Sequence, residues 1–321
     1  MYNMSVNGTC FLQKGNDMER RIAVIGASRM DVTALTEKAL SQREVNNVEM
    51  RFSFGGSGLN IARDLALLGQ RPALISLFGR DQMGMLLASA CQESDIDISR
   101  SDASVSPSAA AISVHNERSE NVLVCTDNRI IEEMTPAFFA SRLKFINGCE
   151  ACLFGADLPK ESIEYLAENV SSPLFALGVS PSRVSALTPA LPRLFGICLN
   201  LLEARRLTGR ISPGDCAAFL CEKGIKLVII TLGAEGCYVA STGTHVSCPS
   251  MAARPMVSKL GAGDAVAAVL LWAFSNRLRL RDIAVSAMRA AAVTCASEDA
   301  VSPDLSEIVL LEEIRKHMQE A

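Results

Sequence analysis

The chain has 321 residues and a formal net charge of −4, which gives no general attraction for nucleic acid or acidic membranes. Hydrophobic residues make up 49% of it, enough for one large α/β domain with an accessory piece or for two modest domains. No apolar run reaches the roughly 18 residues that a membrane span needs. Residues 1–20 are polar and lack an apolar signal core, so we expect a loose extension on a cytoplasmic protein.

The 11 cysteines do not indicate a disulfide framework, because several lie within apolar helix or strand patterns. Cys149 and Cys152 form one C-x-x-C, but no second pair or histidine follows at the spacing of a zinc site. The three histidines are scattered, which argues against a triad built on histidine. We therefore expect reduced and mostly buried cysteines.

Strands and helices alternate along most of the chain. Short apolar runs predict strands over residues 21–27, 71–79, 151–155, 174–179, 195–199 and 226–231, and a hairpin over 237–248. Helical patterns cover residues 61–68, 81–93, 135–146, 160–169, 262–275, 280–297 and 305–320. This alternation favours an α/β fold with a mostly parallel sheet covered by helices on both faces.

Two segments, about residues 32–54 and 106–127, interrupt this alternation. Within the second, residues 109–115 and 121–126 read as two strands joined by a polar turn. Together the two segments predict a small sheet outside the main one. Such a sheet could act as a lid that excludes water from a reaction site.

The stretch Gly261-Ala262-Gly263-Asp264 precedes a strongly apolar helical run. Its glycines allow the backbone to curl and aim several N–H groups at one point, and the start of a helix attracts anions. Asp264 is then either a helix cap or a general base beside a phosphoryl group.

Three further groups are ambiguous by themselves. The loop Gly55-Gly56-Ser57-Gly58-Leu59-Asn60 allows close backbone approach to a ligand but lacks the P-loop pattern. Asp31 follows the first strand, where it is either a turn residue or a ligand at the carboxyl end of the sheet. Asn200 and Glu203 have the spacing of a helix capping box.

Taken in order, these motifs resemble those of the ribokinase-like (PfkB) family of carbohydrate and nucleoside kinases, from about residue 21 onward. The motifs are GGSGLNIA, NLLE, TLGAEG and GAGD, which begin at Gly55, Asn200, Thr231 and Gly261. Within the family the chain is most similar to the pseudouridine kinases, in residues 26–31, 60–69 and 302–306. The resemblance implies a single kinase domain over residues 21–321 that contains the lid segments.

The resemblance also implies transfer of a phosphoryl group from ATP to a primary hydroxyl of a ribose-like sugar or nucleoside, with pseudouridine as the leading substrate. Asp264 would be the base, and the anion hole would be formed by Gly261, Ala262 and Gly263. The implied substrate ligands are Asp31, Gly55, Gly56 and Asn60. The implied ATP-site residues are Asn200, Glu203, Thr231, Gly233 and Gly236, of which Asn200 and Glu203 would hold Mg²⁺ through water.

Family members often dimerise through the lid, so we expect a homodimer formed there. The residues before the GAGD motif are Ser258, Lys259 and Leu260, and they lack the acidic residue that often helps to bind K⁺ in this family. Lys259 either replaces that cation, contacts the ATP phosphates or points into solvent. We expect turnover to be nearly independent of K⁺.

Residues 177–180 lack the Asp-Pro pair of the pseudouridine kinases, so the substrate stays open between pseudouridine and other sugars of the family. A catalytically silent protein that binds sugars or nucleosides on the same fold is the alternative from another functional class. The intact GAGD motif favours the enzyme, because a pure binding protein need not keep both the anion hole and Asp264.

Overall fold

The computed structural model describes residues 21–36, 39–41, 43–116, 121–251 and 256–319, so the predicted extension over residues 1–20 lies outside the described residues. The strands in this part of the chain are β1 (Arg21–Ile25), β2 (Arg29–Leu35), β3 (Glu49–Gly55), β4 (Arg71–Ile75), β5 (Leu77–Gly79), β6 (Asp102–Ser104), β7 (Ala109–His115), β8 (Asn121–Asp127), β9 (Ala151–Gly155), β10 (Leu174–Leu177), β11 (Gly196–Asn200), β12 (Leu227–Thr231), β13 (Cys237–Ser241) and β14 (Thr244–Cys248). The α-helices are α1 (Ser57–Leu67), α2 (Gln82–Glu93), α3 (Pro136–Ala140), α4 (Leu143–Asn147), α5 (Lys160–Asn169), α6 (Leu201–Thr208), α7 (Pro213–Glu222), α8 (Ala262–Ser275), α9 (Leu280–Cys295) and α10 (Glu307–Gln319).

An eight-stranded sheet forms the centre of the molecule, in the order β14-β13-β12-β11-β10-β9-β1-β4. The strands from β12 to β4 are parallel, and β13 and β14 form the antiparallel hairpin predicted over residues 237–248. Side chains of a strand alternate between the two faces. Accordingly Ile22 and Val24 pack into one core layer, whereas Ala23 and Ile25 pack into the other.

Each core layer is covered by its own set of helices. Helices α1, α2, α8, α9 and α10 contribute buried residues to the first layer, and α5 and α7 contribute to the second together with a 3₁₀ helix over Val184–Arg193. The predicted α/β architecture is confirmed. No described helix is long and apolar enough to cross a membrane.

A separate four-stranded sheet, the lid, has the order β3-β2-β7-β8. It comprises strands from both segments that interrupt the sequence alternation. Strands β2 and β7 are parallel, and the other two pairs are antiparallel. In one cross-strand row, Phe52, Val32, Ile112 and Cys125 share a face, and Phe52 and Ile112 on it are 68% and 48% exposed. Asp31 and Thr126 belong to the opposite face.

Several element boundaries differ from the sequence prediction. The strand predicted over residues 71–79 is interrupted at Ser76, whose N–H donates to the Ser101 hydroxyl at 3.0 Å. The part after this interruption forms β5, which pairs with β6 and not with the main sheet. The helix predicted over residues 135–146 forms as two short helices, α3 and α4. The strand predicted to reach residue 179 ends at Leu177. Helix α7 was not predicted, although Ser212 caps it and Pro213 occupies its first turn.

The described cysteines are all free, and most of them are buried, including Cys149 and Cys152. Burial raises the pKa of the Cys149 thiol to about 11, so this thiol is protonated and unreactive at neutral pH. The predicted burial of the cysteines is thereby confirmed for most of those described. Cys125, on the lid, is exposed.

Candidate active site

In the described part of the chain, no side chain caps the start of α8, so its first backbone N–H groups lack a side-chain partner there. The helix begins at Ala262, as predicted, and Gly261 caps it with a φ of 77° and no side-chain hydrogen bond. A Cβ on Gly261 would overlap the carbonyl of Ala300, whereas one on Gly263 would meet nothing within 4 Å. The first turn therefore faces open space, and its N–H groups are free to bind an anion.

The start of α1 has the same construction. Gly56 precedes the helix with a φ of 90°, and no described side chain caps it. The N–H of Leu59 donates to the carbonyl of Ala27 at 3.1 Å. The backbone of Gly58 lies directly against that of Gly26, so a Cβ on Gly58 would overlap Gly26. The glycines of this loop thus allow α1 to begin in close contact with the end of β1.

A hydrogen bond joins the two helix starts, which together we call the floor of the site. Asn60 in α1 is 5% exposed, and its Nδ2 donates to Oδ2 of Asp264 in α8 at 2.8 Å. Burial raises the pKa of Asp264 to about 6, although the Asn60 hydrogen bond and the Arg29 charge lower it. The negative charges of Asp157 and Asp31 raise it further. Asp264 therefore titrates near neutrality, as a general base should.

A second carboxyl group lies one helical turn after Asn60. Asp64 is fully buried, and neither of its carboxylate oxygens has a hydrogen-bond partner in the described part of the chain. Burial, reinforced by the charge of Asp264, raises the pKa of Asp64 well above its usual value. Its surroundings therefore favour the neutral form of Asp64 over the charged form. The sequence analysis did not identify it, because an Asp at a helical position normally faces solvent.

A cavity of about 260 Å³ opens beside the start of α1. Its lining is polar and comes from the lid, the loop after β9, the segment after β10 and a 3₁₀ helix over Arg129–Glu133. The lining residues that carry polar side chains are Arg29, Ser57, Thr126, Asn128, Glu132, Asp157, Ser180, Ser182 and Arg183. The volume and the polar walls suit a small hydroxylated molecule.

Val179 lines the cavity in a strained conformation. Its φ is 61°, and the N–H of Ser180 donates to the carbonyl of Gly178 at 2.7 Å, which makes Val179 the centre of a γ-turn. A positive φ is rare for a β-branched residue. Such strain concentrates at functional sites. This turn is part of the segment 177–180, which lacks the Asp-Pro pair expected of a pseudouridine kinase.

The structure corrects the predicted setting of Asp31. β2 begins at Arg29, so Asp31 lies within a lid strand and not in a turn after the first strand. Arg29 binds its carboxylate with two hydrogen bonds, from Nε to Oδ1 at 2.5 Å and from Nη2 to Oδ2 at 3.3 Å. Gly55 is paired with Arg29, and a Cβ on Gly55 would overlap the Asp31 carboxylate. Asp31 and Gly55, which the resemblance implies as substrate ligands, therefore lie next to each other. Arg29 lies beside them and was not predicted as part of the site.

Asn200 and Glu203 form the capping box that their spacing allows. Oδ1 of Asn200 accepts from the N–H of Glu203, and Oε2 of Glu203 accepts from the N–H of Asn200, both at 2.9 Å. Glu203 is 4% exposed, and burial raises its pKa. Asn200 and Thr231 are paired across β11 and β12, so these sequence-predicted residues meet at the carboxyl edge of the sheet.

The TLGAEG motif continues from this edge. Gly233 has a φ of 62° and no neighbour that would obstruct a Cβ, so its backbone faces open space. Gly236 has a φ of 106° and lies tightly against the carbonyl of Cys248. The backbone of Gly233 is therefore accessible to a ligand, whereas Gly236 allows the loop to pack closely against the backbone at Cys248.

At this edge of the sheet, a divalent cation would need ligands from a bound phosphate group in addition to those of the protein. Among the described residues, no group of three or more His, Cys, Asp or Glu side chains could hold a metal ion. The capping box already engages Oδ1 of Asn200 and Oε2 of Glu203. An ion would thus be held mainly by phosphate oxygens and waters, with Glu203 as an outer partner.

Lys259 lies in an exposed segment before α8. The N–H groups of Val257 and Ser258 donate to the carbonyl of Cys295, at 2.8 and 3.2 Å, which fixes the segment against the end of α9. The Lys259 charge lowers the pKa of the Cys295 thiol, although burial raises that pKa overall. The ammonium group therefore lies within electrostatic range of Cys295.

Residues 19–307 match the family described as pfkB family carbohydrate kinase. The chain is 23% identical over 294 residues to a pseudouridine kinase of Escherichia coli, covering 89% of this chain and 93% of the relative. It is 26% identical over 263 residues to a mouse ribokinase, covering 78% and 80% of the two chains.

The structure resembles that of an Arabidopsis thaliana ribokinase complexed with ribose and ATP, with a TM-score of 0.81 and 18% identity. This likeness covers 93% of the present chain and 99% of the other, and at such identity it shows the fold alone. The family match extends over most of the chain and includes every motif of the site. The chain is therefore a phosphotransferase that acts on an alcohol group, and it belongs to the pfkB family of carbohydrate kinases.

Proposed function

We propose that the chain transfers the γ-phosphoryl group of ATP to a primary hydroxyl of a ribose-like sugar or nucleoside, with pseudouridine as the leading substrate. The observation that carries this proposal is Asp264, whose pKa is raised to about 6 at the glycine-capped start of α8. A carboxylate of this basicity beside unpaired N–H groups suits proton removal from a hydroxyl that attacks a phosphoryl group.

In this reaction the hydroxyl oxygen forms a bond to the γ-phosphorus, and the bond from that phosphorus to the bridging oxygen of ADP breaks. Asp264 accepts the hydroxyl proton, while Asn60 holds the carboxylate in place through its hydrogen bond. The N–H groups at Gly261, Ala262 and Gly263 stabilise the negative charge on the transferring group.

The ATP phosphates would extend from α8 toward the carboxyl ends of β11 and β12. Thr231 and the accessible backbone of Gly233 would contact the nucleotide there, and Glu203 would accept from waters around the phosphates. A bound Mg²⁺ would neutralise phosphate charge. The capping box fixes Glu203 in one rotamer for this role.

The sugar would occupy the cavity between the lid and the floor. Asp31 would accept hydrogen bonds from its hydroxyls, and Gly55 and Gly56 would allow close approach. The polar lining around Asn128 and Ser180 provides partners for a substituent with donors and acceptors, such as a uracil ring. The similarity to the E. coli pseudouridine kinase supports the same choice.

The test is a substrate panel with Mg-ATP, comprising pseudouridine, uridine, inosine, ribose and fructose, assayed by ADP release. Asp264→Asn, purified in parallel, is the control for contaminating kinases. We expect turnover with pseudouridine, well above that of the variant. Turnover with another compound of the panel, and none with pseudouridine, would show that this other compound is the substrate. No turnover with any of them, combined with saturable binding, would favour the silent binding protein.

We also propose that the chain forms a homodimer through the outer face of the lid. This face carries partly exposed apolar side chains on three strands, among them Met50, Phe52, Ile112 and Leu123. A contiguous apolar surface of this kind marks an interaction site. A second copy would bury it while the opposite face covers the substrate.

A further inference from the structure

Three buried acceptor atoms lie on one face of α1, in the side chains of Asn60 and Asp64. Asn60 is 5% exposed, and Asp64 is fully buried. In the described part of the chain, neither Oδ1 of Asn60 nor either carboxylate oxygen of Asp64 has a hydrogen-bond partner. A buried acceptor without a donor costs free energy, so this face of the helix needs at least one donor.

The geometry of the helix brings the two side chains together. Residues four apart on an α-helix are neighbours, with Cβ atoms about 5–6 Å from each other. Helical side chains also lean toward the N-terminus, so the side chain of Asp64 leans over the turn that carries Asn60. The Asp64 carboxyl group therefore lies within reach of the Asn60 amide.

The nitrogen of that amide already has a partner. Nδ2 of Asn60 donates to Oδ2 of Asp264 at 2.8 Å. Reversal of the amide would place its oxygen against the Asp264 carboxylate, with two acceptors in contact. A donor bound to Oδ1 of Asn60 would prevent this reversal. An ionised Asp64 cannot be that donor, whereas a protonated Asp64 has one O–H to donate.

The surroundings of Asp64 favour the protonated form. Burial raises the pKa of Asp64, and the negative charge of Asp264, on the packed helix α8, raises it further. The charge of Arg63 lowers this pKa but does not reverse the direction. Arg63 is at the adjacent position of α1, and adjacent helix positions do not face each other.

We propose that Asp64 is a positioning residue whose neutral carboxyl group donates a hydrogen bond to Oδ1 of Asn60 and thereby holds Nδ2 toward Asp264. A chain of two hydrogen bonds then runs from the buried face of α1 to the start of α8. The kinetic meaning of this inference rests on the proposed phosphoryl transfer, whereas the protonation of Asp64 can be measured in the ligand-free protein.

The first test is carboxyl ¹³C NMR of the ligand-free wild type and Asp64→Asn, labelled at aspartate. The signals of Asp64 and Asp264 are assigned by their loss in Asp64→Asn and Asp264→Asn. At pH 7 we expect the Asp64 signal at the chemical shift of a neutral carboxyl group. Because Asn is neutral as well, the pKa of Asp264 should change by less than about 0.3 units in Asp64→Asn.

An ionised Asp64 would change both readouts. Its signal would have the chemical shift of a carboxylate, and its replacement by Asn would remove a negative charge beside Asp264. The Asp264 pKa would then fall by about one unit. Either result would overturn the inference and would indicate a bound water as the donor to Asn60. These readouts need no substrate, so they separate the inference from the proposed function.

The kinetic test compares two substitutions of similar size, with whichever substrate the panel identifies. Asp64→Asn keeps a donor, its amide N–H, and should retain kcat within about threefold of the wild type. Asp64→Leu has no donor, so the Asn60 amide can reverse and release Asp264. For this variant we expect kcat to fall about tenfold, with each KM within about twofold of the wild type.

Stability separates positioning from a general structural function. Asp64→Leu replaces a buried, unpartnered carboxyl group with an apolar side chain, so it should resist urea at least as well as the wild type. Ser286→Ala is the matched control and should leave kcat unchanged. Ser286 is fully buried on α9, and its hydroxyl also has no partner among the described residues. Wild-type kcat in Asp64→Leu, or an equal loss in Asp64→Asn, would contradict the proposal.

Discussion

The floor and the lid each carry one carboxylate of the candidate site, and the two differ in the partner that holds them. On the floor, Asp264 receives a hydrogen bond from the neutral amide of Asn60. On the lid, Asp31 is bound through both oxygens by the guanidinium of Arg29. The amide orients its carboxylate without neutralising it and leaves it able to accept a proton, whereas the guanidinium forms a charge-assisted pair with both oxygens of its partner.

This difference suggests a division of labour between the two regions. The floor suits proton transfer, because its carboxylate titrates near neutrality. The lid suits recognition, because carboxylate oxygens are hydrogen-bond acceptors for sugar hydroxyls. Each prediction below tests one side of this comparison, from the largest expected effect to the smallest.

Asp264→Asn should reduce kcat by about 10³-fold or more, because the amide cannot accept the hydroxyl proton. Substrate and ATP should still bind, since the side chain keeps its shape. Turnover under saturating Mg-ATP and binding by calorimetry are the two measurements. Loss of binding in parallel with turnover would mean that Asp264 serves to bind the substrate. That outcome would contradict the proposed difference in function between Asp264 and Asp31.

The same variant should make the fold more stable at neutral pH. The native pKa of Asp264 is raised above its usual unfolded value, so the stabilisation from its protonated form is lost as pH rises through about 6. Asn is neutral at every pH and avoids this loss. Thermal unfolding at pH 5 and pH 8 should show the larger gain at pH 8, and an equal gain at both would contradict the assignment.

Gly261→Ala and Gly263→Ala test how strictly the floor is built. A Cβ at Gly261 would overlap the Ala300 carbonyl, and its φ of 77° disfavours other residues. We expect a loss of about 2–4 kcal/mol in the free energy of unfolding. Gly263→Ala, into open space, should change it by less than about 1 kcal/mol. Similar urea midpoints for the two variants would contradict the described helix start.

Asp31→Ala should lower kcat/KM for the sugar by about 30- to 1000-fold, equivalent to roughly 2–4 kcal/mol, with little change in KM for ATP. The loss follows from a missing acceptor for the sugar hydroxyls and from the unpaired Arg29. Steady-state kinetics with each substrate varied in turn would measure it. Equal weakening for ATP and for the sugar would place the function of Asp31 outside sugar recognition.

On the outer face of the lid, Phe52→Lys should dissociate the proposed dimer at micromolar concentration, because it places a charge in the apolar patch. Sedimentation velocity would report the mass. Arg129→Lys is a control, because Arg129 is exposed and follows the last strand of the lid. The substitution introduces the same residue type, lysine, without changing the charge at this position. A wild-type protein that is monomeric at all concentrations would disprove the dimer.

The smallest expected effect concerns K⁺. We expect wild-type turnover to change by less than about twofold when K⁺ replaces a bulky organic cation at fixed ionic strength, because Lys259 supplies a positive charge before α8. Lys259→Ala should lower turnover or make it respond to K⁺. Strong activation of the wild type by K⁺ would show that Lys259 does not substitute for the ion.

Local patterns were sufficient to predict most of the main sheet and the start of α8. Gly261 precedes an apolar helical run, so the glycine pattern and the hydrophobic pattern both indicated a helix from Ala262. Helix α1 was predicted only from residue 61, but it begins at Ser57, because the residues directly after Gly56 are helical. The capping box at Asn200 was equally local, because its two partners are three residues apart.

The remaining features depend on contacts between distant parts of the chain. Arg29, Asp157 and Val179 are ordinary residues in sequence, and only the assembled cavity brings them together. The residue pattern left Asp31 open between a turn residue and a ligand, because nothing local shows that it lies in a strand, β2, that pairs with both β3 and β7. The buried Asp64 was missed for the same reason, since α8 covers it from about 200 positions away in the chain.

The lid joins the rest of the molecule through very short connections, and this has a thermodynamic consequence. Three residues separate β1 from β2, and Gly56 alone separates β3 from α1. Arg29 and Asp31 share strand β2, and their hydrogen bonds to each other lie within the lid. A displacement of the lid relative to the floor would therefore carry both charges of this ion pair together. The free energy of opening the lid would thus not include the cost of separating the pair.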